Sequence, residues 1–227
     1  IQLCGIKRVI DYAHQCGISE ELPEVLSLSL GAADISPLEM ASAYTVFPNA
    51  GLKIPTSGIK VIFDADGHVV EDNRVPVARE VFSEPTACNM GDMMKAVVEA
   101  GTATNAYIPN HEVAGKTGTT DSFRDAWFIG FTPEYTAAVW VGKDDNSQMK
   151  KSYGGDLPAR SWKRVMMASL EGHEPSRFFL KDPTLNHHSA AQADASHGLA
   201  RQVGPHARQT RKAVLELREF HLKPALV

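Results

Sequence analysis

No run of about 18 apolar residues occurs anywhere in the 227-residue chain, so nothing in it is built to cross a membrane as a helix. Positive charge is not in excess. Lys and Arg number 23 against 27 Asp and Glu, and a formal net charge of −4 implies no general affinity for nucleic acid or other polyanions. Cysteine is scarce. Cys4, Cys16 and Cys88 fit no zinc or redox spacing, their odd count argues against a disulfide framework, and they read as small buried hydrophobes. No metal site and no cofactor are expected. There is no initiator Met and no leader pattern; the chain opens at Ile1, which predicts that it starts inside a longer protein. What is present, 43% apolar residues, suffices for one domain with a sizeable core.

Apolar residues at Leu3, Ile6, Ile10 and Ala13, closed by Gly17, predict an amphipathic helix over 3–16. Ser36-Pro37-Leu38-Glu39 is a capping box with proline at the first helical position, so a second helix should run to about Phe47 and stop at Pro48-Asn49-Ala50-Gly51. Residues 59–63 and 68–70 flank Asp64-Ala65-Asp66-Gly67 and read as a hairpin. Ser83 can cap a helix over 84–100, ended by Gly101, with Ala87, Met90, Met94 and Val97 turned inward. Three extended runs follow at 113–119, 126–131 and 135–141. Their short connections imply an antiparallel meander, and the unbroken apolarity of the last two implies cover on both faces. A further amphipathic helix is expected over 158–170, stopped by Gly172.

From His173 the composition changes. Residues 173–227 form a polar tail with six of the nine histidines (His173, His187, His188, His197, His206 and His221) and eight Lys and Arg against five Asp and Glu. The histidines do not recur at ligand spacing, so the tail reads as a solvated, partly disordered extension with one possible short helix over 211–220.

The densest chemistry lies in Gly115-Lys116-Thr117-Gly118-Thr119-Thr120. On a strand, alternation puts Lys116 and Gly118 on one face and Thr117 and Thr119 on the other. At a sheet edge, the lysine can fix a negative charge and the hydroxyls can bind a carboxylate. Glycine admits a close backbone, and an outward N–H can meet a developing oxyanion. Cradles of this kind sit beside a nucleophile.

Four stretches carry a resemblance: "SLSLGAADISPLEMASAYTVFPNAG" (27–51), "GTATNAYIPNHEVAGKTGTT" (101–120), "DAWFIGFTPEYTAAVWVGKDD" (125–145) and "GGDLPARSWKRVMMASLEG" (154–172). The chain resembles the transpeptidase domain of class A, bifunctional penicillin-binding proteins, over residues 1–172. The resemblance implies an α+β fold, an antiparallel sheet flanked by helices, present as a C-terminal portion. It implies a peptidoglycan D,D-transpeptidase that works through a serine acyl-enzyme and is acylated by penicillin. Lys116 would support the serine–lysine network, the Thr119 N–H would form half of an oxyanion hole, and Thr117, Gly118, Thr119 and Thr120 would bind substrate. Asp125 and Trp127 would be structural, and Arg124 could reach the cleft mouth. Implied partners are stem peptides, lipid-linked precursors, β-lactam antibiotics and a missing upstream part that would carry a glycosyltransferase and the anchor. The implied location is the outer, periplasmic face of the cytoplasmic membrane.

The family's nucleophile lies in a helical Ser-x-x-Lys, with a Ser-x-Asn on a loop. Ser-x-Asn is absent, and Ser-x-x-Lys occurs only at Ser57–Lys60 and Ser147–Lys150, neither in a helical setting. The nucleophile is therefore expected upstream of Ile1, the isolated chain inactive, and an apolar surface exposed where the missing helix would pack. Two other readings share the Lys-Thr-Gly strand. One is a serine β-lactamase or D,D-carboxypeptidase. The other is a non-catalytic module binding cell-wall peptide.

Overall fold

The structure, a computed structural model, describes residues 1–178 and the backbone of 214–216. Helix α1 spans Ile6–Cys16 and ends where Gly17 takes a left-handed conformation (φ 103°). Helix α2, Pro37–Tyr44, starts on the expected box: Ser36 Oγ accepts from the Glu39 N–H at 3.2 Å. It stops short of Phe47 and gives way to tight turns up to Gly51. The β-branched pair Thr45-Val46 and the coming Pro48 weaken the last turn.

Two short strand pairs follow. Strand β1 (Leu52–Lys53) pairs with β4 (Arg79–Glu80), and β2 (Val61–Phe63) with β3 (Val69–Asp72). The second pair is the expected hairpin. The first was not foreseen, because two residues carry no periodicity. It places Lys53 opposite Arg79, and both cations reach the carbonyl end of α1. Arg79 donates to Gln15 O at 2.7 Å, and the Lys53 stem lies against Gly17. Lys53 is buried, and its ammonium donates to Ser42 O and Oγ, each at 2.5 Å. Burial pushes that ammonium below the usual lysine range and pushes the Cys16 thiol up to about 11. The cysteines are less buried than their residue type suggested: Cys4 is exposed, Cys16 and Cys88 half-buried.

Helix α3 (Glu84–Glu99) starts at Ser83 and turns Ala87, Met94 and Val98 into the core. The sheet comes next: β5 (Ala114–Thr119), β6 (Asp125–Phe131) and β7 (Thr136–Gly142), an antiparallel meander as expected. Helix α4 is Leu157–Ser169. A last strand, β8 (Val214–Glu216), joins the far edge of β7 in parallel. It occupies part of the stretch for which a helix was expected; pairing with an open strand edge outweighs local propensity there. The rest of 211–220 lies outside the described residues, as does most of the tail. Packing nonetheless continues past Gly172, because Phe178 stacks edge-on to Phe131 and its N–H donates to Glu112.

Cover lies on both faces of the sheet. On one, Phe128 and Val139 meet Trp162 and Met166 of α4 and Val98 of α3. On the other, Ile129 and Ala138 meet Ala41 of α2. That second face is incompletely covered: Trp140, beside Trp127, is 39% exposed.

Trp162 anchors the first face. It is fully buried, edge-on to Phe128 at 5.2 Å, and Nε1–H donates to Gly130 O (3.2 Å) and Ala137 O (3.1 Å). Only glycine fits beneath it, since a Cβ at Gly130 would lie 2.9 Å from the indole. Both carbonyls already belong to the β6–β7 ladder, so Trp162→Phe strips a supplementary bond and leaves a small void. The expected cost is about 2 kcal/mol, read as a lowered denaturation midpoint at constant slope.

Candidate functional site

The ladder decides what β5 offers. The Thr120 N–H donates to Asp125 O at 3.1 Å, and the Thr132 N–H to Tyr135 O at 2.8 Å. These two bonds fix the phase of the whole meander. Odd-numbered residues of β6 bond to even-numbered residues of β5, so Lys116 and Gly118 are tied inward to Ile129 and Trp127. The N–H and C=O groups of Thr117 and Thr119 therefore point off the outer edge, where no strand among the described residues pairs with β5.

Side chains alternate as expected. Lys116 and Gly118 share the α2 face with Trp127 and Ile129; Thr117 and Thr119 share the α4 face with Phe128 and Ala126. The exposed Lys116 ammonium curls to the edge and donates to Thr117 O at 2.6 Å. Charge, two hydroxyls and an outward Thr119 N–H thus converge on one edge.

Each hydroxyl has a partner from a distant loop. Thr117 Oγ1 lies 2.7 Å from Thr102 Oγ1. Thr119 Oγ1 accepts from the Gly154 N–H at 3.0 Å. Gly154 can come that close because it has no side chain: a Cβ would sit 2.2 Å from Trp127 O and 2.5 Å from Gly118 O. At Gly155 a Cβ would meet Thr102 O at 2.0 Å, and Asn105 Nδ2 donates to Gly155 O at 2.8 Å. Thr102, Gly154 and Gly155 were not singled out from sequence. The glycine pair ahead of α4 was the available signal, since adjacent glycines before a helix mark close backbone approach.

The remaining residues differ from their sequence reading in detail. The Thr120 hydroxyl accepts from the Asp125 N–H (2.8 Å) and donates to Asp125 Oδ2 (3.2 Å), so it closes the β5–β6 turn and does not face the edge. Asp125 also accepts from Trp140 Nε1 at 2.9 Å, a structural role as expected. A Cβ at Gly118 would press on Trp127 Cβ at 3.3 Å, so the glycine makes room for a neighbouring indole. Arg124 is exposed at the end of the turn. That turn passes through left-handed Ser122 (φ 66°) and Phe123 (φ 53°). It is held by an edge-on Phe123–Tyr153 contact at 5.1 Å and by the Met149 N–H donating to Phe123 O.

Neither Ser-x-x-Lys match is helical. Ser57 donates to Ile59 O in the loop before β2, and Ser147 accepts from Lys143 in a polar turn. Among the described residues, one group could hold a cation: Asp64, Asp66 and His68, exposed in the β2–β3 turn and distant in sequence from β5.

Comparison with known proteins gives the family. The penicillin binding protein transpeptidase domain family matches residues 19–167. Penicillin-binding protein 1A of Aquifex aeolicus is 41% identical over 155 residues, which are 68% of this chain and 21% of that protein. Penicillin-binding protein 1A of Neisseria meningitidis is 35% identical over 177 residues, 75% of this chain and 22% of that protein. The chain thus spans about a fifth of the length of these curated relatives. Among solved structures, PonA1 of Mycobacterium tuberculosis in complex with penicillin V is similar at TM-score 0.66 and 26% identity, over 77% of this chain and 52% of that one. Penicillin-binding protein 1A of Haemophilus influenzae is similar at TM-score 0.68 and 26% identity, over 79% and 33%.

Proposed function

The chain belongs to the class A branch of the penicillin-binding protein transpeptidase family, and from that premise we propose that it is the substrate-cradle part of a peptidoglycan D,D-transpeptidase. The parent protein cross-links stem peptides on the outer face of the cytoplasmic membrane, where an upstream segment anchors it and carries a glycosyltransferase. Residues 1–172 form the transpeptidase portion, packing extends it to Phe178, and β8 adds to its sheet.

The observation that carries the reading is the phase of the ladder. It turns the Thr119 N–H off an unpaired edge while Lys116, Thr117 and Thr119 gather there. In the proposed reaction a serine from the upstream part attacks the D-Ala-D-Ala carbonyl and displaces the terminal D-alanine. An amine of a second stem peptide then attacks the acyl-enzyme and releases the serine. Lys116 supplies positive charge beside the serine–lysine pair. The Thr117 and Thr119 hydroxyls hold the terminal carboxylate, and the Thr119 N–H meets the oxyanion, a contribution of about 3 kcal/mol. Gly118 keeps the strand flat under Trp127, and Thr120 fixes the turn that sets the position of Thr119. A β-lactam is taken as a substrate mimic, its ring-bound carboxylate on the same two hydroxyls.

The test is acylation by a labelled penicillin. The full-length protein is expected to gain one stable adduct per chain, on a serine upstream of Ile1, and residues 1–227 alone none. Rapid turnover of the adduct would instead indicate a hydrolase. An adduct-free protein that binds a D-Ala-D-Ala peptide would indicate a non-catalytic module.

A further inference from the structure

Two loops far from β5 in sequence supply the partners of its two hydroxyls, and this bears on how those hydroxyls are presented. A carboxylate is an acceptor only. To bind one, Thr117 and Thr119 must each donate, so each hydroxyl oxygen must take its own structural bond as an acceptor. Thr119 already does: the Gly154 backbone N–H donates to Oγ1 and, being a main-chain donor, has no other role. The Thr119 proton is left free for a ligand. Thr117 has a different partner. Its contact is another hydroxyl, Thr102 Oγ1 at 2.7 Å, and either group can give the proton. The order resolves when a carboxylate arrives. Thr117 must then donate outward, and Thr102 must donate to Thr117. The bonds run in one line from Thr102 to Thr117 to the carboxylate, and each polarises the next.

Thr102 is placed for this by the turn that ends α3. α3 ends at Glu99, and the Ala103 N–H returns to Val97 O at 3.0 Å, a tight turn. Gly101 fits it because a Cβ there would meet Val97 Cα at 2.8 Å. The turn lays Thr102 over β5. From the other side Gly155 presses on Thr102 O, with Asn105 pinning Gly155. Thr102 itself is exposed, so the pair lies at the surface, where a ligand can reach it.

We propose that Thr102 is a positioning residue for the carboxylate of the substrate: its hydroxyl donates to Thr117 Oγ1 and thereby commits Thr117 to donate to the ligand. The inference rests on the transpeptidase reading of the β5 edge and names what aims its first hydroxyl.

The experiment uses the full-length protein and two forms of one labelled penicillin, the free acid and its methyl ester. The readout is the ratio of their second-order acylation rate constants. Thr102→Val is expected to reduce the preference for the free acid about tenfold, the effect of one orienting hydrogen bond to a charged-ligand site. Thr102→Ser, which keeps the hydroxyl, is expected to restore it. A merely structural role would slow both forms equally and leave the ratio intact, and that result overturns the proposal. So does a Thr102→Ser protein that behaves like Thr102→Val while folded. A wild type that neither form acylates overturns the transpeptidase reading itself and takes this inference with it. A wild type that is acylated without preferring the acid removes the carboxylate role alone.

Discussion

Replacing Lys116 with alanine is expected to slow acylation by a penicillin about a thousandfold while barely changing stability. The two halves of this expectation come from different observations. Lys116 is exposed and its one described bond goes to Thr117 O, an edge carbonyl that water can serve equally well. Surface changes of this kind stay within about 0.5 kcal/mol. Yet the ammonium is the positive charge on the edge where a carboxylate and an oxyanion would meet. Removing one group aimed at developing charge typically costs about 10²–10³ in rate, and the serine–lysine network proposed for Lys116 would put it at the upper end. The measurement pairs the second-order acylation rate constant with a thermal melt. A rate within threefold of wild type would remove Lys116 from the machinery. A melt lowered in step with the rate would recast it as structural.

Gly154→Ala is expected to damage fold and site together. The added methyl would lie 2.2 Å from Trp127 O and 2.5 Å from Gly118 O, both backbone atoms of the β5–β6 ladder. Backbone there cannot yield, so the loop before α4 must lift. Lifting it breaks the bond to Thr119 Oγ1 and disturbs the first turn of α4, where the Ala159 N–H donates to Gly154 O. A destabilisation of about 3 kcal/mol is expected, with loss of penicillin labelling even in the folded fraction. Gly91→Ala is the control. A Cβ at Gly91, within α3, meets nothing within 4 Å, so alanine there should stabilise by up to about 1 kcal/mol. Equal effects from both substitutions would show that general backbone flexibility, and no specific contact, governs Gly154.

Local signals made much of this fold legible. Ser36 and Glu39 announced α2, Gly17 the end of α1, and the spacing of apolar runs the β5–β6–β7 meander. Alternation alone put Lys116 and Thr117 on opposite faces. Most of the misses share one cause, which is that the decisive partner lies beyond the reach of local periodicity. The β1–β4 pair joins residues separated by the whole β2–β3 hairpin. Thr102 and Gly154 acquire their meaning from Thr117 and Thr119, and the 15 and 35 residues between the ends of these contacts exceed the reach of helical or strand periodicity. Thr120 was read as a ligand because it extends the motif; its hydroxyl instead serves the turn, since Asp125 lies five residues on, within reach of a tight connection.

The bond from Gly154 to Thr119 also sets an order of events during synthesis. Thirty-five residues separate its ends, and the loop that carries Gly154 is braced by α4, the last helix described. A ribosome that has just released the Lys-Thr-Gly-Thr strand has already made Thr102, the partner of Thr117, but not the Gly154 loop that holds Thr119. The nascent sheet can form its meander early, because those contacts are local. The carboxylate recognition proposed for the edge would wait until the chain beyond residue 154 has emerged, coiled into α4 and closed back over the strand, a closure whose entropic cost must be met first. The recognition of a cell-wall peptide proposed for this edge would thus be a late acquisition of the folding chain. It marks a finished molecule rather than the mere presence of its motif.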